Sequence, residues 1–384
     1  RTLLCEQYGF LGGMATMGLV NPFMPNGLDG KRFDTGVHEE WLRLMEQMGG
    51  ARGNTICHET AKLAAEKLCL EAGVELLYHV QLDIPLMDGD RIDCVLMHGK
   101  SGLTAHRASV YVDTTGDADL AARAGCPIEY GRDEDGGTQP MTLSFDVAGI
   151  DKDRIPKWGE VNRLYDKARD EGRLVCPREN VLRFNTLEDD RIHFNTTRIV
   201  GHDATDTLSL TAAEIEGRRQ VLDYMEFFRR DVPGFENCRL HAMGVNIGVR
   251  ESRRVRGEAY LTREDFRNLA KFPDSIARIN YPIDIHNPAG GGTEHEHVPE
   301  GEWYEIPYGC IVPLECDNLL VGGRPISVDH AVHSSMRCMP QANTIGQAAG
   351  NAAAMAAEKG VAPADIDGVA VHESLVAQGV WLED

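Results

Sequence analysis

Asn318-Leu319-Leu320-Val321-Gly322-Gly323-Arg324 opens the stretch on which the fold turns, and Pro340-Gln341-Ala342-Asn343-Thr344-Ile345-Gly346-Gln347-Ala348-Ala349-Gly350 closes it. The first segment is an unbroken apolar run stopped by two glycines, the pattern of a buried strand rather than a half-exposed one. Glycine at that strand end lets backbone approach a neighbour or a ligand closely. Pro340 suits the first turn of a helix. The small residues after it (Gly346, Ala348, Ala349, Gly350, Ala352) let that helix press against whatever lies beside it. The helix start is electropositive and favours negative charge in front of it.

The same parts recur at the other end of the chain. Thr2-Leu3-Leu4-Cys5-Glu6 reads as a buried strand ending in an acid, a place from which dinucleotide-binding folds accept ribose hydroxyls. A loop follows, with Gly12, Gly13, Met14, Ala15 and Thr16, whose glycines allow backbone N–H groups to close on a flat or anionic ligand. Spacings of three and four predict helices over Val37–Met48 and Glu59–Ala72, then a strand at Val74–Tyr78. Asp88-Gly89-Asp90 marks a hairpin turn between Ile84–Met87 and Ile92–Met97. Ser109–Asp113 is a further strand, and Thr114-Thr115-Gly116-Asp117 leads from it into a short helix stopped by Gly125. At that junction Gly116 admits close approach, and the helix start would offer N–H donors to phosphate.

Between these ends the character changes. Thr142–Val147 and Arg191–Thr197 alternate like half-buried strands, and Thr211-Ala212-Ala213-Glu214 has the form of a capping box opening a helix to about Arg230. Asn287–Glu302 reads as a loop or lid. Arg250, Arg253, Arg254 and Arg256 crowd beside Glu251 and Glu258, which favours structural ion pairing. The fold class expected is α/β: a Rossmann-like nucleotide-binding domain made of residues 1–125 and 305–384, split by an α+β substrate domain at 126–304.

Composition narrows the function. A net charge of −21 disfavours nucleic acid and anionic membranes as partners. The absence of a long uncharged apolar run disfavours a membrane span, so a cytoplasmic protein acting on a small molecule is expected, with homo-oligomerisation left open. Ten cysteines occur without one C-x-x-C pair, which disfavours zinc ribbons and iron–sulfur modules and favours reduced thiols used as small core residues. His295-Glu296-His297 lacks a third ligand, so no metal site is expected. Asp329, His330 and Ser334 hold the residue types of a hydrolase triad, but they crowd within six positions and no G-x-S-x-G elbow exists. His330 and Arg337, with Asp329, instead suit the orientation of a carbonyl or carboxylate substrate and the movement of a proton.

Four ordered blocks carry a resemblance: Glu6–Thr16 (EQYGFLGGMAT), Val112–Asp119 (VDTTGDAD), Ile247–Glu258 (IGVRESRRVRGE) and Asn318–Gly350. Together they resemble the FAD-dependent oxidoreductase family of the glutathione-reductase-like flavoproteins. The resemblance implies FAD as cofactor and hydride transfer between a small organic substrate and the flavin. It implies that Glu6 binds the ADP ribose, that Gly12 to Thr16, Gly116 and Asp117 follow the pyrophosphate and ribityl chain, and that Gly323, Arg324 and Asn343 approach the flavin. The family's opening strand and G-x-G-x-x-G loop are missing from this sequence, and the alternative is a non-catalytic flavin-fold remnant acting as a binding or assembly module.

Overall fold

The computed structural model describes residues 1–383. The chain begins with β1 (Leu3–Glu6), followed by helices α1 (Val37–Gln47) and α2 (His58–Glu71) and by β2 (Glu75–Tyr78). β1 and β2 pair in parallel, Leu3 opposite Glu75 and Glu6 opposite Tyr78. A three-stranded antiparallel meander follows: β3 (Val80–Asp88), β4 (Arg91–Gly99) and β5 (Gly102–His106). The expected hairpin is its first half. β6 (Tyr111–Asp113) and α3 (Asp119–Ala124) complete this part, and Gly125 ends α3 in the left-handed conformation (φ 93°) that glycine adopts most readily.

The central part is built on the antiparallel sheet of β7 (Phe145–Ala148), β8 (Arg183–Asn185), β9 (Arg191–Phe194) and β10 (Arg239–Met243), in the order β8-β9-β7-β10. α4 (Trp158–Asp170) and α5 (Thr207–Asp231) pack on it. Phe145, Phe194, Tyr224, Phe228 and Phe235 stack through this core, each burying a large apolar surface. α5 starts four residues before the expected Thr211. Asp206 caps it by accepting from the Ser209 N–H at 2.7 Å, and Thr211 Oγ1 back-bonds to the Thr207 carbonyl inside the helix.

The chain then returns through β11 (Ser275–Ile279), β12 (Ile283–His286), β13 (Thr293–Glu296) and β14 (Tyr304–Pro307). β12 and β13 form a hairpin, so part of the expected 287–302 loop is strand. β15 (Leu319–Val321), α6 (His330–Met336), α7 (Met339–Lys359) and α8 (Gly368–Ala377) follow. β15 pairs in parallel with β6, Asp113 opposite Val321. β15 is fully buried and the alanine face of α7 packs into the same core, as an apolar strand and a small-residue helix require.

Two large hydrophobic cores result. One joins β6, β15, α7, α8 and the meander, and it also takes in Val255, Leu261, Phe266 and Ile276–Ile285. The other uses residues 141–247 alone. A smaller cluster unites Ala15, Phe23, Trp41 and Met45 with Met339 at the start of α7. No helix among the described residues is long and apolar enough to cross a membrane.

Candidate active site

Ligands of open α/β sheets bind beyond the carboxyl ends of the strands, and there the widely separated glycine loops meet. Gly323 (φ 83°) follows β15, and a methyl group on it would stand 3.9 Å from Ala342 Cβ in the first turn of α7. Ala15, in the loop after β1, shares an apolar cluster with Met339 at the same helix end. Gly116 (φ 83°), after β6, lies under Arg324: a methyl group there would stand 2.7 Å from Arg324 Nη2. Gly12 (φ 111°) closes onto Thr16, whose hydroxyl donates to the Leu11 carbonyl at 2.8 Å.

Glu6 and Asp117 both lie close enough to Tyr8 to act on its phenol. The Glu6 carboxylate accepts from the Tyr8 N–H at 3.0 Å, and burial raises its pKa. Burial, then the negative charges of Glu6, Glu214 and Asp117, push the Tyr8 phenol up to about 12. Asp117 itself is engaged: its Oδ1 accepts from Arg324 Nη2 at 2.8 Å and from Ser252 Oγ at 2.5 Å.

One expectation is corrected. The N–H groups at the start of α3 are not offered to phosphate, because Asp113 takes them. Its carboxylate accepts from Thr115 N (2.9 Å), Leu120 N (2.9 Å) and Ala121 N (3.0 Å). The strand's last residue has become the cap, leaving Gly116 as the point of close approach.

At α7 the first turns carry polar side chains. Asn343 donates from Nδ2 to His38 Nδ1 at 2.9 Å, and burial holds His38 neutral, its pKa pushed down to about 3. Asp34 accepts from Asn26 Nδ2 at 2.8 Å, and burial lifts its carboxyl to about 7. Among the described residues, both polar atoms of the Gln341 amide lack a hydrogen-bond partner although Gln341 is fully buried.

His330 opens α6, and Asp329 and Arg337 flank that helix at its two ends, in roles that differ from one another. Asp329 caps that helix, accepting from Val332 N at 2.7 Å and, through its other oxygen, from Arg263 N at 2.6 Å. With both oxygens occupied by backbone donors, it has no free hand for proton transfer. His330 Nδ1 bonds Glu251 Oε1 at 2.8 Å, and its buried Nε2 has no partner among the described residues. Ser334 Oγ donates to the Ala331 carbonyl at 2.7 Å, so the three residues form no triad. Arg337 reaches Gln139 and lies 3.8 Å from Asp284.

The basic run divides by direction. Arg254 is bonded to Glu251, the Val328 carbonyl and the Gly131 carbonyl, a structural role. Arg253 pairs with Asp119 and Arg256 with Glu129. Arg250 alone turns the other way, to the Pro140 carbonyl, Thr142 and Asn195.

A constellation absent from the expectations stands opposite the glycine loop. His193 on β9 and Asp146 on β7 face each other, Nδ1 to Oδ1 at 2.8 Å, both buried. His58, at the start of α2, bonds through Nδ1 to the Ala15 carbonyl at 2.7 Å. Burial, the largest effect, lowers the His58 pKa. Each of the three residues has a ligand-type atom within 4.8 Å of the others, so they could hold a metal ion. Their bonds also leave both Nε2 atoms as lone-pair acceptors; that of His193 has no partner among the described residues. The residues come from three segments, so no local motif announces them. The one trace in the sequence is a histidine at an alternating position of Arg191–Phe194.

By sequence, no curated protein matches the chain. Among solved structures, p-nitrophenol 4-monooxygenase PnpA from Pseudomonas putida DLL-E4 is similar at 14% identity and a TM-score of 0.31, over 53% of this chain and 45% of that one. A geranylgeranyl bacteriochlorophyll reductase-like protein from Thermoplasma acidophilum is similar at 10% identity and a TM-score of 0.41, over 84% and 59%. BexE, named for oxidation during BE-7585A biosynthesis, is similar at 12% identity and a TM-score of 0.47, over 98% and 64%. This chain thus spans less than two thirds of the length of each. The family model of the FAD dependent oxidoreductases matches residues 1–375, and with its α/β, Rossmann-like arrangement the chain belongs to that FAD-using family.

Proposed function

We propose that this protein transfers hydride between a small organic substrate and FAD, with the 126–304 segment supplying the substrate side. The observation that carries the reading is that Ala15 of the Gly12–Thr16 loop and Gly323 both adjoin the first turn of α7, while Gly116 lies against Arg324 beside Gly323. The residues there fit the cofactor. Positive-φ glycines leave the backbone bare, and the buried amide of Gln341 and Nη1 of Arg324 lack partners among the described residues. Glu6 would hold the adenosine ribose, Gly12–Thr16, Gly116 and Asp117 the connecting chain, and Gly323, Arg324 and Asn343 the ring end. Bound there, FAD supplies the two-electron chemistry.

The chain's own task is to orient the substrate and move the proton that accompanies hydride. Of the histidines whose buried Nε2 lacks a partner among the described residues, His193 and His330 hold a carboxylate at Nδ1, and those carboxylates decide between them. Glu251 beside His330 already accepts from Arg254 at 2.6 Å and from Gln139 N at 3.0 Å. Asp146, by contrast, accepts from His193 Nδ1 and fixes that ring with Nε2 presented. His193 therefore takes or gives the proton at Nε2, and His330 and Arg337 position the substrate.

The test is anaerobic. Protein loaded with FAD should show a flavin band that bleaches with one member of a panel of alcohols, amines and enoate-forming acids, or recovers with the oxidised counterpart. Failure to retain FAD after loading would sink the reading.

A further inference from the structure

Arg178, Arg198, Arg250 and Arg337 come from four separate segments and converge in the central part of the molecule. Their common partners tie them together. Gln139 Oε1 accepts from Arg337 Nη2 and from the His286 N–H, both at 3.3 Å. His286 Nδ1 bonds Arg198 Nη2 at 2.9 Å. Arg250 holds the next residues of the same segment, at Pro140 and Thr142. Arg178 adjoins Glu179, which pairs with Arg198 at 3.2 Å. Burial and the other three guanidinium groups pull the Arg250 pKa down, as expected if the charges share one space.

The acids in this space are too few. Glu179 and Asp284 face four guanidinium groups, a surplus of two positive charges. Burying unpaired charge costs several kcal/mol per ion, so native proteins rarely leave it unmatched. Hydrogen bonding is incomplete as well. Arg178 is 6% exposed, yet its Nε and Nη1 lack partners among the described residues, as do Arg337 Nε and Gln139 Nε2. A carboxylate offers about four lone-pair sites, matching these four donors.

We infer that Arg178, Arg250 and Arg337 bind a carboxylate of the substrate, so that the enzyme acts on a small organic acid. The placement agrees with the chemistry. Asn195, which holds Arg250 at 3.3 Å, lies two residues beyond His193, roughly 7 Å along an extended chain. A carboxylate seated at the arginines puts carbon atoms of the acid within reach of His193 Nε2. The inference rests on the flavin reading for the identity of this ligand as substrate, but binding itself can be measured without turnover.

The experiment measures thermal shift and calorimetric titration on FAD-loaded protein and on the same protein without FAD, with succinate, acetate and inorganic phosphate as probes. Succinate should raise the melting temperature and bind the loaded protein. Arg178→Met should weaken succinate binding by tenfold or more while melting no lower than the parent without ligand, because it removes an unpaired buried charge; Arg178→Lys should fall between. Phosphate binding in preference to both carboxylates overturns the inference. So does succinate binding that is unchanged in Arg178→Met, or that is abolished by FAD, which would give the arginines to the cofactor. Should FAD fail to bind, the flavin reading falls alone, and the succinate shift of the unloaded protein still decides the carboxylate site.

Discussion

Arg324 Nη2 donates to Asp117 Oδ1 at 2.8 Å, joining the loop after β15 to the loop after β6 across 207 positions of sequence. The bond holds Arg324 over Gly116, and Ser252 reaches the same carboxylate oxygen. One ion pair thus fixes the spacing of two loops that the cofactor reading places along a single ligand.

Arg324→Ala should therefore loosen cofactor binding without unfolding the protein. Charge-assisted hydrogen bonds of this kind contribute about 1.5–3 kcal/mol. A rise in the FAD dissociation constant of roughly tenfold or more is expected, read by quenching of flavin fluorescence. An unchanged constant would remove Arg324 and Asp117 from the cofactor site.

Gly12→Ala should be more damaging. Its φ of 111° is strained for any side chain, and the added methyl would meet Thr16 Cγ2 at 2.5 Å. The loop would have to shift, and with it the Ala15 carbonyl that holds His58. Expected is loss of FAD retention on gel filtration with the far-ultraviolet circular dichroism intact, whereas Gly13→Ala, with open space around it, should be milder.

How much of this was readable beforehand follows the range of the forces involved. Buried strands and the small-residue helix declare themselves by local pattern, so Leu319–Val321 and the start of α7 fall where Pro340 and the apolar run place them. The glycine loops were legible because φ above zero restricts residue choice at one position. Asp113 was not legible as a helix cap, since Thr114, Thr115 and Asp117 after β6 each suit that role and only the turn geometry selects among them. Arg250 could not be told from Arg253, Arg254 and Arg256 for a similar reason: adjacent arginines differ only in the direction the chain gives them. The His58, Asp146 and His193 group depends on three segments meeting and left almost no local trace.

Asp34 makes stability depend on pH in a direction that can be worked out. Folded, its carboxyl titrates near 7; its ordinary value is 3.8. Between those values the folded protein holds a proton that the unfolded chain has released, so stability falls as pH rises from about 4 to 7. The full penalty is on the order of 4 kcal/mol. Asp34→Asn keeps the shape and cannot ionise. It should melt close to the parent at pH 4 and clearly above it at pH 8, in thermal scans of both proteins. Parallel curves at the two pH values would show that Asp34 does not carry this proton.

His193 and Asp146 give the sharpest mechanistic test, because their effects should separate. His193→Asn removes the group proposed to move the proton, and general acid–base catalysis contributes about 10²–10⁴-fold. The rate of flavin reduction should fall within that range while the dissociation constant for FAD changes little. Asp146→Asn leaves the imidazole in place but removes the charge beside its Nδ1. That variant should lose less rate, since the imidazole keeps its Nε2 and loses only the carboxylate that orients it. A structural pair would lower stability in both variants and leave the rate of the folded protein close to the parent's. A site that holds a metal would behave differently again: both variants would lose a stoichiometric ion measurable by elemental analysis, and with it the activity together.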